Sequence, residues 1–236
     1  MFNTYSLTCC VANALTAIVG VILLIAGFIY ARDTNFLRSS WNEIYSLSIY
    51  SIVIGILAML FAICLFYVAN RKLSASTILF SVLILIVFVL AVINLIILTT
   101  SVRNVKDDSY KKIADLFRNY SNSNSVVSSK VSFGEIQQSF QCCGVKEALD
   151  WKTQLSNGTN TPDTCCRTIV PKCGENALIT KDKIYLRGCA EPIYLYLLKI
   201  YSALLAIDTI LTILLFISAV CGFICEQYIR EQYQAM

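Results

Sequence analysis

Six of the eleven cysteines lie between Cys142 and Cys189. They form an adjacent pair followed by glycine (Cys142-Cys143-Gly144), a second adjacent pair shortly after Pro162 (Cys165-Cys166), and singles at Cys173 and Cys189. A dense, even set of cysteines in a polar stretch has the chemistry of a disulfide framework closed in an oxidising compartment. Six cysteines allow fifteen pairings, and spacing alone leaves all of them open. The chain contains no histidine, so the commonest metal ligand and the commonest general base near neutral pH are missing. No nucleophile stands beside a base, and neither an enzyme nor a metal site is expected.

The elements that must display this framework are membrane spans. Hydrophobic residues make up 57% of the chain, charged residues 14%, and the mean hydropathy is +0.66, which does not describe a soluble domain of this length. A net charge of +4 spread over short polar links offers no basic surface for nucleic acid. The expected fold is an all-α membrane protein with four transmembrane helices and a disulfide-bridged, mainly helical large outer loop. Residues 1–8 form a cytosolic N-terminus, 9–30 the first span, 31–46 a small outer loop and 47–68 the second span. A cytosolic loop at 69–74, a third span at 75–100, the large loop at 101–199, a fourth span at 200–225 and a cytosolic tail at 226–236 complete the order. With no basic region ahead of it and no small-residue cleavage site behind it, the first span reads as a retained helix rather than a signal peptide.

In the first two spans small residues recur every seven positions: Gly20 and Gly27 in line with Asn13, and Ser48, Gly55 and Ala62. These stripes predict two antiparallel helices in close contact. Past the third span, Val102, Val105, Ser109, Ile113, Leu116 and Tyr120 continue at three- and four-residue steps, so the large loop should begin on an amphipathic stalk. A loop over 121–130 and a short helix over 131–140 should follow, with Glu191-Pro192 starting the helix into the fourth span.

Three side chains bearing an amide or a carboxyl sit inside the spans: Asn13, Asn94 and Asp208. An intramembrane acid faces a protein interior or a cavity. Hydrogen bonding of Asp208 to Asn13 or Asn94 is the structural expectation. The functional alternative is a small channel or transporter using Asp208 and Asn94, which four spans could line only by oligomerising.

Outer-side disulfides and an even number of spans put both termini in the cytosol. The sequons at Asn119 and Asn157 then fall on the outer side as glycosylation acceptors. Cys9, Cys10, Cys64, Cys221 and Cys225 fall at or near cytosolic span ends as palmitoylation candidates. The ending from Tyr233 to Met236, a tyrosine with a bulky apolar residue three positions on, has the pattern that endocytic adaptors bind in extended form.

Four spans, a short first and long second outer loop, Cys142-Cys143-Gly144, Asp150-Trp151, Pro162 ahead of Cys165-Cys166, and Gly188-Cys189 together make the chain resemble a tetraspanin along its whole length. It is similar to members with six loop cysteines, and its tail resembles the late-endosomal and lysosomal branch. The resemblance implies bridges from Cys142 to Cys189, Cys143 to Cys166 and Cys165 to Cys173, the last two interchangeable at Cys165 and Cys166. It implies a lateral organiser that binds receptors, integrins and other tetraspanins through the loop and spans, builds microdomains in the bilayer, and affects partner trafficking or adhesion at the plasma membrane or in late endosomes and lysosomes. It further implies that cholesterol or another lipid can lie between the helices, with Asn13 and Asp208 as its contacts, and no other cofactor.

Overall fold

The computed structural model describes residues 2–33, 42–71, 74–120, 126–155 and 158–234, with the side chains of 2–7, 42–44, 70, 74, 126–132, 232 and 233 outside the description. About 82% of the described residues are helical, and no strand occurs among them. Its elements are α1 (Phe2–Asp33), α2 (Asn42–Asn70), α3 (Ser74–Asn119), α4 (Val126–Phe140), α5 (Trp151–Gln154), α6 (Ala177–Thr180) and α7 (Ala190–Gln234), with 3-10 turns at Ala148–Asp150 and Asp163–Cys165. Four helices are long and apolar enough to cross a membrane. Two compact units divide the chain: Met1–Asp33, Glu43–Thr100 and Tyr201–Met236 form one, Thr34–Asn42 and Ser101–Ile200 the other.

In the first unit the small-residue stripes of α1 and α2 meet as expected. A Cβ on Gly20 would stand 3.0 Å from the Gly55 carbonyl oxygen, and one on Gly55 would stand 2.7 Å from the carbonyl oxygen of Gly20. Further along, Gly27 lies against Ile52 and the Ser48 carbonyl. With apolar lipid on the outside, such backbone contact is what holds membrane helices together. The antiparallel register of α3 and α7 is equally plain. Asn94 meets Asp208, Phe88 stacks on Phe216 with centroids 5.6 Å apart, and Ser81 packs on Gly222. Helices α1 and α7 join through Thr16 Oγ1 and Ser218 Oγ, 2.8 Å apart.

The second unit is built on an aromatic cluster. Phe117, Tyr120 and Phe133 surround Trp151 at centroid distances of 4.7, 4.8 and 6.0 Å. Of the stalk positions, Val105, Ser109 and Ile113 are buried. Leu116 is only partly so, and Phe117 takes the inward place beside it. Helix α4 begins at Val126, five residues before the sequence expectation. Serine costs a helix only about 0.5 kcal/mol relative to alanine, too little to stop one that tertiary packing supports. Burial pushes the Tyr120 hydroxyl above its ordinary range.

Of the expected small outer loop, 34–41 lies outside the described residues, as do 121–125 of the loop before α4. Helix α7 runs to Gln234, so the tail continues the last span rather than leaving it as an extended strand.

Candidate functional site

The cap, residues 142–189, is organised by the turn that follows α4. Gly144 has φ 76°, and a Cβ there would stand 2.2 Å from the Glu147 carbonyl oxygen, so the Cys-Cys-Gly turn closes only with glycine. Asp150 holds the turn shut. Its Oδ2 accepts from the backbone N–H groups of Val145 (2.9 Å), Lys146 (2.7 Å) and Glu147 (3.2 Å). The next residue, Trp151, is fully buried and sets the depth at which that carboxylate stands.

This turn is stitched to the chain entering α7. Cys143 N–H donates to the Arg187 carbonyl at 2.8 Å, Gly188 N–H to Lys146 at 3.1 Å and Cys189 N–H to Gly144 at 3.1 Å. Gly188 is required at that crossing, because a Cβ would come within 2.3 Å of the Val145 carbonyl oxygen. The Cys142–Cys189 bridge locks the same crossing with both residues fully buried.

The other two bridges take the interchanged form of the implied pairing: Cys143 joins Cys165, and Cys166 joins Cys173. Local geometry decides between the neighbours. Pro162 opens the 3-10 turn Asp163–Cys165, which carries Cys165 inward against α4. There Gln137 Nε2 donates to Cys165 Sγ at 3.3 Å, while Thr164 Oγ1 donates to Gln137 Oε1. Cys166 follows in extended conformation and forms an isolated antiparallel bridge with Ile184. The step from the 3-10 turn into extended backbone turns Cys166 away from the direction of Cys165, so Cys166 faces Cys173 and not Cys143. Asp163 completes the frame by accepting from Gly174 N–H (2.9 Å) and Lys172 N–H (3.0 Å). Its carboxylate and the Cys166 and Cys173 sulfurs lie within 4.8 Å of one another, but both sulfurs are bonded to each other and offer no thiolate to a metal.

Framework residues are thus consumed inside the cap, and its surface carries large apolar side chains among charged ones such as Arg167, Lys172, Lys181 and Lys183. Ile169, Val170, Ile179 and Leu186 are 56%, 51%, 67% and 49% exposed. Elsewhere in this unit a cavity of about 680 Å³ is lined by Lys106, Tyr110, Lys146, Arg187, Glu191 and Leu195, among others. Tyr110 hydroxyl donates to Glu191 Oε2 at 2.8 Å, a bond that raises the Tyr110 pKa.

Among the intramembrane polar residues, Asn94 Nδ2 donates to Asp208 Oδ2 at 3.3 Å, with both residues buried. Asn13, the other candidate partner of Asp208, does not join them. Its Nδ2 donates to the Cys9 carbonyl at 3.0 Å on its own helix. Thr16, one turn on, meets Ser218, ten residues beyond Asp208 on α7, a separation of about 15 Å along the helix. Antiparallel packing sets the start of α1 against the end of α7. Oδ1 of Asn13, Asn94 and Asp208 each lacks a hydrogen-bond partner among the described residues.

Cys9, Cys10, Cys64, Cys221 and Cys225 are free and partly exposed. Cys9 Sγ lies 3.6 Å from the Cys221 carbonyl, so the start of α1 and the last turns of α7 come together. Asn119 ends α3 and is exposed, while Asn157 and Met236 lie outside the described residues. Tyr233 lies within α7.

Gln137 and Asp163 belong to no motif legible in the sequence, and Asp150 stands there only beside Trp151. An aspartate shortly after a glycine turn, placed to accept backbone N–H groups, was the signal available for Asp150.

The Tetraspanin family model matches residues 6–226. CD63 antigen of Bos taurus is 33% identical over 95 residues, covering 40% of this chain and 38% of that protein. Tetraspanin-9 of Salmo salar is 30% identical over 155 residues, 66% of this chain and 60% of that protein. CD151 antigen of Chlorocebus aethiops is 28% identical over 105 residues, 41% of each. The matched stretches therefore span less than two thirds of those relatives' own lengths. With the family match running from the first helix to the last and the cysteine-bridged cap in its place, this multi-pass membrane protein belongs to the tetraspanin family.

Proposed function

We propose that the chain is a lateral organiser that binds other membrane proteins, receptors, integrins and further tetraspanins among them, and gathers them into microdomains that affect their trafficking or adhesion. The observation that carries this is the allocation of residues in the cap. Asp150, Asp163 and six cysteines, with Gln137 of α4 set against them, hold the frame, while Ile169, Val170, Ile179 and Leu186 face outward. A rigid frame that presents apolar side chains loses little entropy on docking, which suits recognition and not turnover. The test is affinity purification in mild detergent, comparing the native chain with a chimera whose residues 145–188 come from another family member. Partner sets should follow the cap. Identical sets from both would overturn the assignment.

The cap would face the exterior or lumen, with both termini cytosolic, in the plasma membrane or late endosomes and lysosomes. Glycan attachment at Asn119 and Asn157, read as a mobility shift on deglycosylation, would be lost if the cap were cytosolic. Acylation of Cys9, Cys10, Cys64, Cys221 and Cys225 would tether helix ends to the inner leaflet, and thioester exchange with hydroxylamine reports it. Binding of an adaptor to Tyr233 and Met236 would require the end of α7 to unwind. Loss of surface retrieval in Tyr233→Ala checks it.

A sterol or other lipid bearing a hydroxyl suits the Asn94 and Asp208 end of the spans, where two acceptor oxygens lack a donor. Photo-crosslinking by a sterol probe should fall in Asp208→Leu and stay unchanged in Asn13→Leu. The channel alternative gains nothing from this pair, since Asn94 and Asp208 bond to each other.

A further inference from the structure

We propose that the Cys166–Cys173 bridge is a site of thiol–disulfide exchange, opened by a protein dithiol in the compartment the cap faces while the other two bridges stay closed. The three bridges are not equivalent. Cys142, Cys189, Cys143 and Cys165 are all fully buried, and an incoming thiolate has no route to them in the folded cap. Cys166 is also covered, at 3% exposure, but Cys173 is partly open to solvent and ends a run, 167–172, exposed at every position. Access decides which sulfur is attacked, so the thiolate meets Cys173 Sγ.

Loop length points the same way. The sequence separations are 47, 22 and 7 residues for Cys142–Cys189, Cys143–Cys165 and Cys166–Cys173. The shortest loop restricts the open chain least, so its closure contributes least to stability. Within it Lys172 is held at φ 67°, a left-handed conformation that a lysine seldom adopts.

Opening need not unfold the cap, because hydrogen bonds independent of the sulfurs hold both ends of the loop. Arg167 N–H donates to the Lys183 carbonyl at 2.8 Å and Thr161 N–H to the Gly174 carbonyl at 2.9 Å. Asp163 holds Gly174 N–H at 2.9 Å. The step balances as a two-electron exchange. One thiolate of the dithiol bonds to Cys173 Sγ, and the Cys166 sulfur leaves with the electron pair and takes a proton. The second thiolate then attacks the incoming sulfur, Cys173 leaves as a thiol after protonation, and the dithiol departs as its own disulfide. Freed of its closure, the segment carrying Ile169 and Val170 changes the apolar surface of the cap.

The test uses the full chain in nanodiscs, with Cys9, Cys10, Cys64, Cys221 and Cys225 first blocked by a light alkylating reagent. Graded reduced thioredoxin or dithiothreitol is followed by a heavy reagent and peptide mass spectrometry. Cys166 and Cys173 should label at about tenfold lower reductant than the other four. Simultaneous opening of all three bridges, or earlier opening of either buried one, would overturn the proposal. A monothiol, glutathione, should leave its adduct on Cys173, and an adduct on Cys166 instead would refute the direction of attack. The double variant Cys166→Ser, Cys173→Ser should keep Cys142–Cys189 and Cys143–Cys165 oxidised and the cap resistant to protease. Loss of either would show that this bridge cannot open without unfolding.

Discussion

Replacing Asp150 by alanine removes one oxygen that three backbone donors share, at distances of 2.9, 2.7 and 3.2 Å. A hydrogen bond to a charged acceptor contributes about 1.5–3 kcal/mol. The bond from Val145 is part-buried and should count in full, at about 2 kcal/mol. The Lys146 and Glu147 bonds are exposed, so water replaces the carboxylate and each counts for roughly 0.5 kcal/mol. The turn should therefore open more easily by about 3 kcal/mol, roughly a hundredfold in local equilibrium. Hydrogen–deuterium exchange of the full chain in nanodiscs, read on peptides covering 143–151, measures this opening. Asp150→Ala should raise exchange at Val145, Lys146 and Glu147 by about two orders of magnitude while Cys142–Cys189 stays oxidised. Asp150→Asn keeps a neutral acceptor in place and should fall between the two, at about tenfold. Exchange in Asp150→Ala within about threefold of the native chain would refute the role given to this carboxylate.

Gly55→Val places a Cβ only 2.7 Å from the Gly20 carbonyl oxygen, so α1 and α2 must part. A cost of about 1–3 kcal/mol is expected, seen as a lower thermal midpoint in detergent, with lipid-facing Leu60→Ala as the unchanged control. Asp208→Asn retains a partner for Asn94 and should leave the helices assembled, with no ion flux from either form in proteoliposomes. Flux in the native chain that Asp208→Asn abolishes would revive the channel alternative.

Much of the architecture was legible because its causes are local in sequence. Apolar runs long enough to cross the hydrocarbon, and glycine repeats at seven-residue steps, make helices and contact faces whatever lies elsewhere. The stalk was legible for the same reason, since Val105, Ser109 and Ile113 follow helical spacing. The start of α4 at Val126 was not, because serine-rich sequence carries only weak preferences that packing overrides.

Which cysteine of an adjacent pair faces inward is a question of backbone direction. Cys165 and Cys166 differ by one step along the chain, and only the 3-10 turn after Pro162, docked on Gln137, rotates one toward Cys143 and the other toward Cys173. The partner of Asp208 depended likewise on helix register. Asn13 and Asn94 were equal candidates until antiparallel packing set the first against the far end of α7 and the second against Asp208 itself. Hydropathy and residue type act through the solvent each segment meets, and one chain suffices to specify them. Side-chain direction and register arise only when two segments meet, so they belong to the folded molecule.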